Sequence, residues 1–213
     1  MFKLNLKIAL RNIWKNKTFS FINVIGLAIG LAACLMLFVY VSYEWNFDRQ
    51  AKNADQTYTV MNNIKDENGD IVVTFQGSAT ALAPAIKQQI PEVSYISRTN
   101  YGALGLLGIG DKAFRKTFRY AEPDIFEIID FKFIAGNSVN ALNDINSIIL
   151  TESTAKLLFG TSDVLNKSVR YDNKTDLKIT GIIKDLPHNS SFNPDFILPW
   201  AFYASSNSSV KNP

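Results

Sequence analysis

An α+β fold behind a membrane-spanning N-terminal helix is predicted by this chain of 213 residues, and three observations lead there. Phe19 to Tyr43 carries no charged side chain. The remainder alternates short strand-like and helix-like signals, with no repeat and no second spanning run. The composition, 47% hydrophobic and 19% charged, is too apolar for a disordered chain.

The first seventeen residues form one pattern. Lys3, Lys7, Arg11 and Lys15 recur every fourth residue, which at 100° per residue makes a basic stripe. Phe2, Leu6, Ala9 and Ile13 fall on the opposite face. Like charges four apart cost about 0.2–0.5 kcal/mol per pair in an isolated helix. Against anionic headgroups each basic residue gains about 1 kcal/mol, so membrane lipids are the expected partner of this stripe. A solvated positive flank is the plain alternative.

The span itself comes next. Phe21 to Tyr43 is interrupted only by Asn23, Ser42 and small residues, and as a helix it would be about 34 Å long against a hydrocarbon core of roughly 30 Å. Lys3, Lys7, Arg11, Lys15 and Lys17 precede it with no acidic residue, which leaves 17 basic against 19 acidic residues for the rest. That asymmetry places the N-terminus in the cytoplasm and exports the remainder of the chain, which opens with Glu44, Asp48 and Arg49 as its first charges. A slightly acidic exported part also argues against nucleic acid as a partner. A cleaved signal peptide would be shorter and would not run into Tyr40, Tyr43 and Trp45. Leu31-Ala32-Ala33-Cys34 mimics a lipoprotein processing box, but seven apolar residues come directly after the cysteine. Gly26 and Gly30 form a GxxxG, with Ala28, Ala32 and Ala33 nearby, and are the expected helix-packing positions.

In the exported part, Tyr58 to Ile64 and Ile71 to Phe75 read as a hairpin, with Asn68-Gly69 supplying positive φ angles at the turn. The intervening Asp66 to Asp70 resembles a calcium loop, but the position that should hold the bidentate Glu is Gly77. Ala81 to Ile90 reads as a helix with Pro84 in its first turn, and Val93 to Arg98 as a strand. Gly102, Gly105, Gly108 and Gly110 suggest a flexible loop or irregular strand. Phe114 to Tyr120 alternates as a strand, Pro123 opens a short helical turn, and Ser147 to Leu150 is strand-like. Thr151 is the expected N-cap of a helix over Glu152 to Phe159, with Gly160 as its C′ residue. Leu177 to Lys184 is the last expected strand.

Catalytic patterns are missing: there is no GxSxG elbow, no P-loop and no GxGxxG after a strand. One Cys and one His exclude a disulfide framework and the common metal sites. His188 sits in a polar loop with no second ligand beside it, so neither a catalytic residue, nor a cofactor, nor a metal is expected. A membrane-tethered hydrolase would need Asp124, Glu127 and Asp130 to converge in a cleft.

Taken in order, four stretches resemble the MacB/FtsX-type ABC transporter permeases. Leu6 to Val60 looks like their first spanning helix and incoming strand. Tyr120 to Gly136 (YAEPDIFEIIDFKFIAG), Ile148 to Gly160 (IILTESTAKLLFG) and Ile179 to Phe192 (ITGIIKDLPHNSSF) look like successive parts of the family's periplasmic core domain. The resemblance implies a bacterial inner-membrane permease subunit that relays ATPase-driven motion to a periplasmic domain for export or extraction of substrate. It implies as partners a cytoplasmic ABC ATPase subunit that hydrolyses the ATP, a second permease copy or homologue, and a periplasmic adaptor with an outer-membrane duct. Family permeases have further spanning helices, and the stretch Ser208 to Pro213 has no closing strand, so a fragment with an incomplete periplasmic domain is expected. The expected division is a cytoplasmic amphipathic segment 1–17, a transmembrane helix 18–43 and a partial MacB-like periplasmic core domain 44–213. The alternative is a single-pass membrane-anchored periplasmic sensor or ligand-binding module.

Overall fold

The computed structural model of the chain describes residues 2–48 and 54–207. Arg49, counted after the span, and the tail Ser208 to Pro213 lie outside the described residues. The chain divides into two compact units, Met1–Phe47 and Asp48–Pro213.

The first unit is two helices, α1 (Phe2–Lys15) and α2 (Lys17–Trp45), broken at Asn16, whose φ of −112° and ψ of 54° leave the helical region. None of the residues of α2 is buried, which sets it apart from a core helix of a soluble protein. Its 29 residues span about 44 Å, enough to cross a bilayer. Past its end, the Asn46 side chain donates back to the Ser42 carbonyl at 2.9 Å, satisfying one of the orphan acceptors of the last turn.

The second unit begins with a two-stranded antiparallel hairpin, β1 (Asn62–Lys65) and β2 (Ile71–Phe75). Its turn differs in detail from the expected one. Only Gly69 has a positive φ, at 89°; Asp66 does the rest, its Oδ1 accepting the N–H groups of Asn68 and Asp70, each at 2.9 Å. The first strand also starts at Asn62 rather than at Tyr58. Next comes helix α3 (Leu82–Gln89), with Pro84 in its first turn.

Val93 to Arg98 is not a strand. Acidic side chains bind its backbone instead: Ile96 N–H donates to Asp124 Oδ2 at 3.3 Å and Arg98 N–H to Glu122 Oε2 at 2.9 Å. A carboxylate that captures a peptide N–H removes the donor a ladder would need. The glycine-rich stretch corrects the expectation in the opposite sense, for Ala103–Ile109 is a regular strand, β3, paired along its whole length with β4 (Lys112–Ala121).

The remaining elements are α4 (Ile125–Ile128), β5 (Phe133–Gly136), β6 (Ser147–Thr151), α5 (Glu152–Phe159), β7 (Ser168–Tyr171), β8 (Thr175–Ile183), β9 (Phe196–Pro199) and α6 (Trp200–Ser206). The strands form one mixed sheet in the order β5-β8-β6-β9-β4-β3-β7, and β7 pairs with β8 as well. One edge of β8 is therefore shared: Thr175 to Lys178 pairs with β7 and Gly181 to Ile183 with β5. The ladder closes on itself through β7, so those six strands leave no open edge among them and β5 hangs outside.

Alternation divides the sheet into two cores. Ile148 and Leu150, Phe196 and Leu198, Phe118, Leu177 and Ile179 gather on one face, joined by Ala155 and Leu158 of α5. Ile149, Ile183, Ile197 and Ala121 face the other way and meet Ile125, Phe126, Phe131 and Phe192. Because both faces are covered, every residue of β6 and β9 is buried and neither strand shows polar alternation. Helix α5 carries the expected caps: Thr151 Oγ1 accepts the Thr154 N–H at 3.3 Å, and Gly160 takes the left-handed conformation at φ 76°.

Candidate functional site

Two open clefts flank the closed sheet, each organised by an arginine. The first, of about 340 Å³, is lined by Thr117, Arg119, Ser190 and Ser191, with Leu104 on its apolar side. Arg119 lies on β4; Nη2 donates to the Ser191 carbonyl at 2.7 Å, Nη1 to the Asn100 carbonyl at 3.3 Å, and Cζ stands 5.1 Å over the Phe192 ring. Burial pushes its pKa down, opposed by the charge of Asp48. With Asp48 as its counter-charge, this arginine does not offer an uncompensated anion site.

The second cleft, of about 390 Å³, is lined by Arg98, Glu122, Leu142, Pro199 and Trp200 among others. Arg98 has Glu122 on one side, with Nη2 at 2.6 Å and Nε at 3.1 Å from Oε1. Its Nη1 donates to the Thr80 carbonyl at 3.1 Å, and its Cζ is 5.2 Å from the Trp200 ring centre. The indole Nε1 of Trp200 is buried and has no hydrogen-bond partner.

Neither cleft is lined by a cysteine or a histidine; the hydroxyls at the first are those of Thr117, Ser190 and Ser191. Asp124, Glu127 and Asp130 line neither cleft. Asp124 Oδ2 takes Lys87 Nζ at 2.7 Å, while Glu127 and Asp130 are exposed. Among the described residues no group of three His, Cys, Asp or Glu side chains could hold a metal ion, and His188 and Cys34 are exposed.

In the helical unit, Gly26 and Gly30 lie on α2, with nothing within 4 Å of where a Cβ would stand. Lys7, Arg11 and Lys15 are exposed on α1. Lys3 belongs to the same helix, but its side chain, like those of Phe2, Leu6 and Ala9, lies outside the described residues. Lys17 Nζ sits 5.5 Å over the ring of Trp14.

Sequence reasoning gave no role to Arg98, Glu122 or Arg119, which organise the clefts. Arg98, Glu122 and Arg119 find partners 18 to 72 positions away, a range that periodicity does not reach. One signal was available, since an arginine set between Phe118 and Tyr120 in a strand is a charge that must be accommodated against the sheet.

The sequence model of the MacB-like periplasmic core domain family matches residues 20–212, and the chain belongs to that family. Among solved structures it is similar to a domain of a protein from Porphyromonas gingivalis described as a permease, at 29% identity and a TM-score of 0.57, covering 66% of this chain and 59% of that one. The periplasmic region of MacB from Actinobacillus actinomycetemcomitans matches at 18% identity and a TM-score of 0.45, over 75% of this chain and 65% of the other. The extracellular domain of the noncanonic ABC-type transporter YknZ from Gram-positive bacteria matches at 13% identity and 0.45, over 56% and 61%. The chain thus spans about three fifths of the length of the solved chains it matches. None of the curated proteins matches it. A periplasmic domain of the ABC transporter permease family, behind one N-terminal apolar helix, points to a membrane-anchored protein.

Proposed function

We propose that the chain is part of the permease subunit of a MacB/FtsX-type ABC transporter, relaying motion driven by a cytoplasmic ATPase to its periplasmic domain for export or extraction of substrate. The observation that carries this reading is the family match over residues 20–212, which takes in the apolar helix together with the sheet domain. In this reading residues 1–17 are cytoplasmic, 18–43 cross the inner membrane and 44–213 are periplasmic. ATP is hydrolysed by the separate subunit. Gly26 and Gly30 let a helix of a second permease copy or homologue approach closely, and Lys3, Lys7, Arg11 and Lys15 rest on the anionic inner leaflet. A periplasmic adaptor and an outer-membrane duct complete the assembly.

A relay needs contacts that differ between two states rather than reactive side chains. Purification of the tagged protein from its native membrane in mild detergent tests the reading. An ABC ATPase subunit should co-purify in a stable ratio; its absence overturns the assignment.

A further inference from the structure

Asp48, the first residue of the sheet-bearing unit, is tied to a loop 143 positions further on. Its N–H donates to the Asn189 carbonyl at 2.9 Å, its Oδ1 accepts the Ser191 N–H at 2.6 Å, and its Oδ2 accepts the Ser191 hydroxyl. The backbone there is left-handed, at φ 56°, a conformation a residue with a side chain holds at a cost and keeps where its surroundings impose it. Ser191 is gripped from its other pole as well, since its carbonyl accepts Arg119 Nη2 at 2.7 Å. Arg119 is opposite Ile197 in the parallel β4–β9 pair, and both strands contribute to the two cores.

A short path of charge-assisted bonds therefore runs from Asp48 through Ser191 and Arg119 into the middle of the sheet. The parts that come after Asp48 in sequence are soft by comparison. The β1–β2 hairpin has no buried residue, and α3 buries only Ala83. Load applied along the backbone at residue 48 meets the 189–192 loop before it meets anything equally rigid.

We propose that the Asp48–Ser191–Arg119 clamp is the joint through which displacement at the start of the periplasmic domain reaches its central strands, by-passing the hairpin and α3. The proposal rests on the relay reading and names the element of the domain that receives the motion.

Single-molecule pulling of the full chain in detergent tests it. Handles are attached at Glu44→Cys and Lys174→Cys in a Cys34→Ala background. The otherwise unchanged chain should resist until one rupture event releases the segment beyond Asp48. Asp48→Ala should lose that event and release the slack at low force, and the milder Ser191→Ala should lower the rupture force. Traces that superimpose with and without Asp48→Ala overturn the clamp. Co-purification of the ATPase is scored on the same preparations. A clamp that breaks as expected in a chain that binds no ATPase overturns the relay, and with it the role assigned to the joint.

Discussion

Arg98 and Glu122 hold each other by three bonds: the guanidinium reaches Oε1 through Nη2 at 2.6 Å and Nε at 3.1 Å, and the Arg98 N–H reaches Oε2 at 2.9 Å. The side chains are only 28% and 24% exposed, so this is a partly desolvated pair rather than a surface ion pair. It fixes the segment 93–98, which has no ladder of its own, to the end of β4. Glu122→Gln should therefore cost about 1.5–3 kcal/mol of domain stability, the range for hydrogen bonds to charged groups. Urea unfolding of the protein in detergent, tracked by the fluorescence of Trp200 beside Arg98, measures it. A loss below a few tenths of a kcal/mol would show the pair to be decorative.

Gly105 is required by aromatic packing. A Cβ there would stand 2.7 Å from a Tyr171 ring carbon and 3.0 Å from both Phe118 and Phe196. Those rings cannot move aside easily, because Phe118 and Phe196 are stacked with centroids 5.1 Å apart and Tyr171 abuts both. Gly105→Ala should destabilise by about 1–3 kcal/mol, in the range of overpacked cores. Gly102→Ala, with nothing within 4 Å, is the control and should be close to neutral.

The helix cap gives a smaller, local effect. Thr151 Oγ1 accepts the Thr154 N–H and donates to Thr154 Oγ1 at 2.8 Å, with Thr151 2% and Thr154 0% exposed. Thr151→Ala should cost about 1 kcal/mol. Amide exchange should quicken first at the start of α5, which separates loss of a cap from general loosening.

Two tyrosines set the alkaline limit. Burial pushes the pKa of Tyr171 up strongly, helped by its neighbour Tyr120, and burial raises Tyr120 as well. A phenol whose folded pKa lies above its unfolded value stabilises the fold fully below the unfolded value, and that contribution is lost as pH climbs through the folded one. Tyrosinate absorbance should accordingly show a late component from Tyr171 and Tyr120 that appears as the domain unfolds, and Tyr171→Phe should shrink it. Ionisation of Tyr171 and Tyr120 near the ordinary tyrosine value, with the domain still folded, would contradict this account.

Asp195 sets the acid side. Burial alone would raise its pKa, but the Thr117 hydroxyl at 2.7 Å, the Thr117 N–H at 2.9 Å and Lys116 Nζ at 3.2 Å together bring it below the usual carboxylate value. A depressed carboxylate contributes stability above its unfolded pKa that is lost as pH falls through the folded one. Asp195→Asn should therefore be less stable at neutral pH and show a shallower loss on acidification. Parallel acid limbs for the two proteins would refute the assignment.

Legibility from sequence tracked the range of the interactions. The hairpin, α3 and α5 with its Thr151 and Gly160 caps were readable because their signals lie within a few residues. Strand β9 was not: Phe196 to Pro199 is buried on both faces, has no alternation, and owes its place to Phe118 to Ala121 and to Ile149 and Leu150, 46 to 78 positions earlier. The glycines of β3 suggested a flexible loop or an irregular strand, yet Gly105 is there to admit aromatic rings that come from β4, β7 and β9. The clefts obey the same rule, since Arg98 and Arg119 are answered by groups that only the closed ladder brings near.

The most direct test of the whole account is sidedness. Gln88, exposed on α3, is replaced by Cys in a Cys34→Ala background, and spheroplasts are treated with a membrane-impermeant maleimide. A periplasmic domain predicts full labelling of the intact cells. Labelling that appears only after the membrane is permeabilised would place the domain in the cytosol and contradict the account.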